Sequence, residues 1–223
     1  PYSSEYKIYI IPDANKMTEQ AQNALLKTIE EPPVYAIIIL LTENCDSLLP
    51  TIRSRCVTLT MNPIEKDKIC TYLENKFQLE PEQAQIAANY CQGNIGKAIR
   101  FASSSDFIEM KNQVLKLLKN LDSMDIASII DTIKEFSTHK NDINDYLDLM
   151  LLWYRDVLMF KVTKDANLLL YSDEYSAISE QATKRDYENI ENIIAAIDKA
   201  KVRLKANVNF DVTIELMILA MKD

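Results

Sequence analysis

Glycine is almost absent from this chain, because only Gly93 and Gly96 occur among its 223 residues. Average usage of about 7% would supply roughly fifteen glycines in a chain of this length. Sandwiches and barrels reverse direction every few residues, and glycine is the residue that best tolerates their tight turns. The scarcity therefore argues against an all-β fold and favours long helices joined by polar turns.

Paired cysteines and an excess of positive charge are also missing. The cysteines have no CxxC spacing of the kind that builds a zinc or redox site, so we expect reduced thiols and no metal. The formal net charge of −8 argues against extensive contact between the chain alone and nucleic acid, since phosphate affinity needs clustered Lys and Arg. This net charge is still compatible with a local basic patch. The cysteines are Cys45, Cys56, Cys70 and Cys91.

The sequence contains no run of about twenty apolar residues, the length that spans a bilayer. The first residues also lack the charged and then apolar order of a secretory signal peptide. We therefore expect a cytoplasmic protein with no membrane contact.

Strand character is confined to the beginning of the chain. Two short apolar runs rich in Ile, at 8–11 and 36–41, are typical of parallel strands covered on both faces. Between them, residues 18–31 carry apolar side chains at helical spacing, with Thr18 as the expected N-cap and Pro32 as the stop. A strand, helix, strand unit needs further strands to complete a sheet, so we expect the chain to begin inside a larger α/β domain.

From residue 63 onward the pattern is helical only. Short candidate helices come first, and longer amphipathic segments follow a serine-rich stretch at 103–105. The pattern predicts a partial α/β domain over 1–62, a small three-helix domain over 63–104 and an all-helical domain over 105–223. The expected helices lie at 64–77, 81–92, 95–103, 107–121, 125–137, 143–161, 186–204 and 210–221.

Three stretches carry a resemblance to a known family. They read KIYIIPDANKM from Lys7, NALLKTIEEPP from Asn23 and IIILLTENCDSLLPTIRSRC from Ile37. In order and spacing they resemble the ATPase core of AAA+ clamp-loader subunits of bacterial DNA polymerase III, from the Walker B strand to the SRC motif. The resemblance implies a RecA-like parallel-sheet domain, a three-helix lid and an all-helical collar domain for oligomerisation. It also implies a further strand at about 57–59 and a P-loop strand before Pro1, so we expect an N-terminally truncated chain.

The SRC motif of the family ends the third stretch, as Ser54, Arg55 and Cys56. The resemblance implies that Arg55 acts as an arginine finger and points into the nucleotide site of a neighbouring subunit. Arginine suits this role because its permanent charge lies on a planar fork that can pair with γ-phosphate oxygens. A plainer interpretation is that Arg53 and Arg55 form salt bridges on a loop.

Two regions depart from the catalytic pattern of active family members. The Walker B strand of such members ends in Asp-Glu, which supports Mg²⁺ and polarises water, and these positions align with Pro12 and Asp13. A register shifted by one residue would put Asp13 and Ala14 there, and either register loses a catalytic group. At the lid position called sensor 2, Gly96 replaces the family's arginine, and Lys97 could compensate only in part. The pattern Gly-x-x-Gly-Lys-Ala that begins at Gly93 is common among delta-prime members of the family.

Thr42 and Asn44 align with the sensor 1 region, which in the family orients water near the γ-phosphate. Their side chains could instead cap the loop through hydrogen bonds to its backbone, and we favour that interpretation if no hydrolysis occurs. We expect no cofactor in this chain, since the ATP would be bound by the neighbouring subunit.

The resemblance implies a non-hydrolysing stator subunit of the clamp loader, which places a sliding clamp on primed DNA during replication. Its expected partners are motor (gamma/tau) and delta subunits, through the collar, with the sliding clamp and primer-template DNA at the level of the complex. Two alternatives stay open: an ATP-hydrolysing motor subunit of the same complex, and a purely structural helical scaffold. Apolar faces around Trp153 and Tyr154 and in the final helix could be core or collar interface.

Overall fold

The computed structural model describes residues 4–103 and 106–222. The chain divides into two compact units, Pro1–Asn62 and Pro63–Asp223. Most of the described residues are helical, and the first unit also contains a parallel sheet of two strands. The predicted division between lid and collar, at residues 104 and 105, lies outside the described residues.

The first unit is built around a strand, a helix and a second strand, as predicted. Strand β1 (Lys7–Ile11) and strand β2 (Ala36–Leu40) are parallel and paired along their whole length. Helix α1 (Glu19–Glu30) connects them. It begins after Thr18, whose hydroxyl accepts the N–H of Ala21 at 3.2 Å.

Two expectations for the first unit are wrong. After β2 the chain forms a helical turn, α2 (Pro50–Arg53), but residues 57–59 form no strand. A strand needs its backbone groups paired in a ladder, and no described strand lies beside this segment. The sheet is also not covered on both faces, because two strands bury few side chains without further elements against them. The exposed fractions are 58% for Ile8, 60% for Ile10, 42% for Ile37 and 39% for Ile39.

The second unit contains helices and no strand among its described residues. Most of them begin as predicted: Pro81 opens its helix, and Asp125 and Asp186 accept N–H groups as N-caps at 2.8 and 2.7 Å. Helix α9 (Tyr175–Lys184) was not predicted, because its buried residues, Ile178 and Ala182, form only a weak apolar stripe. The helices are α3 (Lys66–Phe77), α4 (Pro81–Tyr90), α5 (Ile95–Ser103), α6 (Asp106–Asn120), α7 (Ile126–Thr138), α8 (Ile143–Thr163), α9 (Tyr175–Lys184), α10 (Tyr187–Lys205) and α11 (Phe210–Lys222).

Several of these helices end on residues other than glycine that have a left-handed backbone. Gln78 follows α3 with a φ of 53°, Lys164 follows α8 with a φ of 57°, and Asn207 comes after α10 with a φ of 57°. A side chain at such a position places its Cβ close to a backbone carbonyl, which costs about 1 kcal/mol. These helix ends therefore hold mild strain.

Helix α8 lies at the centre of the second unit, where it packs against α6, α9 and α10. Trp153 and Tyr154 are fully buried, and the indole N–H of Trp153 donates to Oε1 of Gln181 at 3.0 Å. The ring of Tyr171 meets Trp153 edge to face, with the ring centres 5.4 Å apart. Trp153 and Tyr154 are therefore core residues. A continuous hydrophobic cluster joins residues from α3 to α11.

The turn between α4 and α5 requires glycine at Gly93. Its φ is +78°, and a Cβ built there would lie 2.5 Å from the Cβ of Pro63 and 3.0 Å from backbone atoms of Ile64. The N–H of Ile64 donates to the carbonyl of Gly93 at 3.0 Å, so the two backbones are held close together. Gly96 differs, because it lies in α5 and a Cβ there would meet only Oδ1 of Asn94, at 3.3 Å.

A cluster of ion pairs joins α5 to α8 and α10. The amino group of Lys97 contacts the carboxylate of Asp145, at 3.3 Å, and that of Asp148. Asp148 also accepts a hydrogen bond from Lys201, and Arg100 pairs with Asp145 at 3.0 Å. The side chains of Lys97, Asp148 and Lys201 are each only 24% exposed, so water screens their contacts less than it would at the surface.

The cluster stabilises the charged forms of its members. Burial alone would raise the pKa of Asp148, but hydrogen bonds from Lys201 and Lys97 outweigh it, and the pKa of this carboxyl is lowered. Burial alone would lower the pKa of Lys97, but its contacts with Asp148 and Asp145 reverse the effect, and this pKa is raised. Both groups are therefore more readily charged in the folded chain than in the unfolded one.

We expect Gly93→Ala to lower the free energy of unfolding by about 2–4 kcal/mol, because alanine would have a left-handed backbone and would clash with Pro63. Gly96→Ala is the matched control. It should change the free energy of unfolding by no more than about 1 kcal/mol, since helix propensity favours alanine and only Asn94 lies close. Urea unfolding followed by circular dichroism measures both variants. Equal losses would contradict the role assigned to Gly93.

We expect Asp148→Asn to lower the free energy of unfolding by about 1–3 kcal/mol at neutral pH, because Lys97 and Lys201 each lose an ionic hydrogen bond. A carboxyl with a lowered pKa contributes stability above its ordinary pKa, about 3.9, and this is lost as the pH falls through the lowered value. The difference between the variant and the parent chain should therefore stay constant down to about pH 5 and shrink below about pH 4. Chemical unfolding at a series of pH values measures it.

Asp131→Asn serves as the control for this experiment. Asp131 pairs with Lys134 at 3.1 Å, but the two side chains are 76% and 72% exposed, and such surface pairs contribute little. The control should therefore unfold like the parent chain at every pH. If the difference for Asp148→Asn persisted undiminished at about pH 3, the lowered pKa of Asp148 would be wrong.

Candidate functional site

The predicted site residues of the first unit lie on the segments that follow the two strands. Because β1 and β2 are parallel, their carboxyl ends meet at the same edge of the sheet. The N–H of Ala14 donates to the carbonyl of Leu41 at 2.8 Å, which ties the turn after β1 to the end of β2. The structure thus brings Pro12, Asp13 and Thr42 to one edge.

Pro12 and Asp13 form the exposed turn that follows β1. Asp13 has a φ of 50°, and its carboxylate pairs with the amino group of Lys16 at 3.0 Å. Ala14, the second position of the shifted register, is fully buried. In either predicted register, one of the two residues aligned with Walker B, Pro12 or Ala14, has a side chain without oxygen.

Thr42 and Asn44 organise the loop that follows β2. The hydroxyl of Thr42 donates to the carbonyl of Asn44 at 2.8 Å and accepts the N–H of Asn44 at 3.1 Å. Oδ1 of Asn44 accepts the N–H of Asp46 at 2.8 Å. These are the hydrogen bonds that the capping interpretation predicts. A sensor role for the two residues stays a prediction.

Arg55 lies in the turn after α2, one residue beyond the C-cap Ser54, and is anchored by that helix. Ile52 of α2 is fully buried, and its carbonyl accepts the N–H of Arg55 at 3.0 Å. Nη1 of Arg55 donates to the carbonyl of Thr51 at 2.8 Å and lies 3.4 Å from Oγ of Ser54. Nη2 pairs with Oε1 of Glu30, at the end of α1, at 2.7 Å. The side chain of Arg55 is 38% exposed, so it is held in place and still accessible.

The neighbouring arginine is also paired within the chain. Nη1 of Arg53 contacts Oδ1 of Asp46 at 2.6 Å, and the Asp46 side chain is 84% exposed. Both arginines therefore form the loop salt bridges that the plainer interpretation predicts. These pairs lie at the surface, where an ion pair contributes little and can be exchanged for another. The role of Arg55 toward a neighbouring subunit stays a prediction.

The other two residues of the SRC motif have local partners. The hydroxyl of Ser54 donates to the carbonyl of Thr51 at 3.1 Å. Cys56 is half-buried, and burial raises the pKa of its thiol. The raised pKa keeps this thiol protonated near neutral pH, which makes it a poor nucleophile.

The residue predicted to occupy the sensor 2 position, Gly96, lies in the second unit at the beginning of α5. Gly96 is the second residue of this helix, and Oδ1 of Asn94 accepts the N–H of Lys97 at 3.0 Å as an N-cap. The amino group of Lys97 is engaged with the carboxylates of Asp145 and Asp148. The lysine that could have compensated for the missing arginine is therefore committed to ion pairs within the chain.

Sequence reasoning missed Gln22, which organises the path toward Arg55. Gln22 is only 5% exposed. Its side-chain amide donates to the carbonyls of Met17, at 3.2 Å, and Ser47, at 3.4 Å, and Oε1 accepts the N–H of Leu49 at 2.8 Å. This one side chain ties α1 to the segment that enters α2. The signal was a polar residue on the apolar stripe of α1, one turn before Leu26.

Residues 4–103 and 106–222, which the structure describes, contain neither a candidate metal site nor a helix suited to span a membrane. No group of His, Cys, Asp and Glu in these residues is arranged to hold a metal ion. No helix in the same part of the chain combines the length and apolar character that crossing a membrane requires.

The chain is similar to proteins of the bacterial replication machinery. Residues 1–65 match a family model described as DNA polymerase III, delta subunit. The chain is 33% identical to the DNA polymerase III subunit delta' of Bacillus subtilis (strain 168), over 99% of this chain and 67% of that protein. It is 27% identical to the DNA polymerase III subunit tau of the same organism, over 72% of this chain and 32% of tau. The chain thus spans about two thirds of the first relative and one third of the second.

A solved structure is also similar. It is that of a DNA polymerase III gamma subunit-related protein from Thermotoga maritima, with 21% identity over 99% of this chain and 73% of that chain, and a TM-score of 0.48. This likeness is too weak to add to the argument. The identity to subunit delta' extends over nearly the whole chain, and with the family match over residues 1–65 it shows that the chain belongs to the family of DNA polymerase III delta-prime subunits.

Proposed function

We propose that this chain acts in a non-hydrolysing stator subunit of the DNA polymerase III clamp loader and supplies Arg55 in trans to ATP bound by a neighbouring motor subunit. The observation that carries the proposal is the position of Arg55. It lies just after α2, where its N–H donates to the carbonyl of the buried Ile52, and 38% of its side chain is exposed. A permanent planar cation so presented can pair with γ-phosphate oxygens and stabilise the charge of the transition state.

The absence of hydrolysis by the chain itself follows from the positions that would hold catalytic groups. Proline at position 12 offers no ligand to a magnesium ion, and the carboxylate of Asp13 is paired with Lys16. Gly96 has no side chain with which to contact a nucleotide, and Lys97 is engaged in the ion cluster. Thr42 and Asn44 keep the polar groups of sensor 1, here used to hold the loop. The chain would therefore need no cofactor of its own.

The proposed domain organisation assigns residues 1–62 to the AAA+ ATPase-type domain, 63–104 to the lid and 105–223 to the collar. In support, a compact unit ends at Asn62, and the three short helices α3, α4 and α5 follow it. The collar would bind the motor (gamma/tau) and delta subunits. The sliding clamp and primer-template DNA would be partners of the assembled complex.

The final helix offers a surface for collar contacts. Its inward side is buried in the second unit, with Ile214, Ile218 and Met221 all fully covered. Its outward side carries apolar residues at helical spacing, and these remain accessible. The exposed fractions are 48% for Val212, 45% for Leu216 and 43% for Leu219. The helix is thus both core and candidate interface.

A motor subunit is the second candidate function, because the chain is also 27% identical to a tau subunit over 182 residues. The two functions differ in where ATP is hydrolysed.

We expect the complete protein, purified alone, to release no phosphate from ATP above the rate of a protein-free blank, because it lacks a metal-supporting carboxylate at Pro12 and an arginine at Gly96. A coupled phosphate-release assay measures this, and clear turnover by the isolated protein would favour the motor subunit.

We expect Arg55→Ala to lower turnover at the neighbouring ATP site by at least about a thousandfold, the lower end of the contribution of an arginine finger. The complete protein is assembled with its partner subunits, and the other ATP sites are inactivated, so that DNA-stimulated ATPase activity reports this site alone. Arg53→Ala is the matched control, since it removes the same charge two residues away and should leave turnover unchanged. If Arg55→Ala behaved like Arg53→Ala, the proposed function would be wrong.

A further inference from the structure

The carboxyl end of α1 carries two acidic residues where a helix disfavours them. Glu30 is the last residue of α1, and Glu31 follows it as the C-cap. The helix dipole puts partial negative charge at this end, so cations are favoured there and carboxylates are not. A departure from such a local rule is expected where a residue serves another purpose. Lys27 is the basic residue in this last turn, and the next cation to reach the end of the helix is Arg55.

The contact between Glu30 and Arg55 sets the direction of the guanidinium. The carbonyl of Thr51 in α2 and the hydroxyl of its C-cap Ser54 hold Nη1, and Glu30 of α1 holds Nη2 at 2.7 Å. This is the short distance of a charge-assisted hydrogen bond. These contacts to described residues involve Nη1 and Nη2 of Arg55 but not Nε. The guanidinium is therefore held in one orientation and still has N–H groups that can donate to a further acceptor.

We propose that Glu30 is a positioning residue for Arg55, one that orients the guanidinium before a phosphate from the neighbouring subunit arrives. This inference rests on the proposed function. A free arginine side chain has many rotamers. If one of them is already selected before assembly, less side-chain entropy is lost when the guanidinium binds at the ATP site. Groups that act in a transition state are most effective when their neighbours already hold their geometry.

The exposure of Arg55 and Glu30 indicates whether Glu30 positions the arginine or keeps it away from the phosphate. Arg55 and Glu30 are 38% and 45% exposed. A pair so exposed changes an equilibrium by a factor of at most about five, because water screens the two charges. Glu30 is therefore too weak to keep Arg55 from a triphosphate, which carries several negative charges. It is strong enough to select among rotamers of similar energy.

The test measures ATP turnover by the reconstituted complex in which only the site beside Arg55 is active. We expect Glu30→Ala to lower kcat about three- to fivefold with little change in KM for ATP, because the orientation matters most in the transition state. Glu30→Gln keeps an oxygen that can accept the same hydrogen bond and should stay within about twofold of the parent. Rescue by this isosteric variant separates positioning from a general effect of charge.

Glu31→Ala is the matched control, because it removes the same charge from the adjacent residue of the same helix end. It should leave kcat unchanged. Thermal unfolding of the isolated variants, followed by circular dichroism, shows whether each one folds like the parent chain. If Glu30→Ala turned over as fast as the parent or faster, or if Glu31→Ala fell equally, the positioning role would be overturned.

Failure of this inference is distinguishable from failure of the proposed function. When Arg55→Ala lowers turnover and Glu30→Ala does not, Arg55 acts in trans without help from Glu30, and only the inference falls. When Arg55→Ala leaves turnover unchanged, the proposed function falls and the inference with it. The two variants are therefore assayed in the same complex.

Discussion

Parallel pairing of β1 with β2 is the constraint on which the first unit depends. Parallel strands place both of their carboxyl ends at one edge, so the turn at Pro12 and the loop at Thr42 meet there whatever their side chains do. From this edge the chain continues into α2, and the buried amide of Gln22 fixes the path. The backbone thus determines where Arg55 lies, and a carboxylate from α1 helps to determine which way it points.

The second unit combines a large apolar core with one partly buried electrostatic cluster. The hydrophobic core around α8 holds the helices together through contacts that have no preferred direction. The contacts of Lys97 and Lys201 with Asp148 add directional bonds between three helices. They raise the pKa of Lys97 and lower the pKa of Asp148, so both groups are more readily charged. Lys97, beside the glycine that the resemblance aligns with sensor 2, thus joins α5 to α8.

Much of this architecture could be predicted from the sequence, and the failures have physical causes. Local signals sufficed for α1, where Thr18 caps the start and a proline pair ends the helix. They failed for residues 57–59, because apolar composition cannot supply the partner that a strand requires. Gln22 and the pairing of Arg55 with Glu30 were missed because both depend on contacts between segments far apart in the chain. The motif drew attention to the arginine, but only the fold shows which carboxylate pairs with it.

The left-handed helix ends at Gln78, Lys164 and Asn207 bear on the unfolded chain as well as the folded one. Glycine at these sites would relax the native backbone, yet it would also give the unfolded polypeptide more conformations to lose on folding. The residues at these sites strain the native backbone, but they also lower the conformational entropy of the unfolded chain. The scarcity of glycine therefore shapes the state that the molecule leaves when it folds.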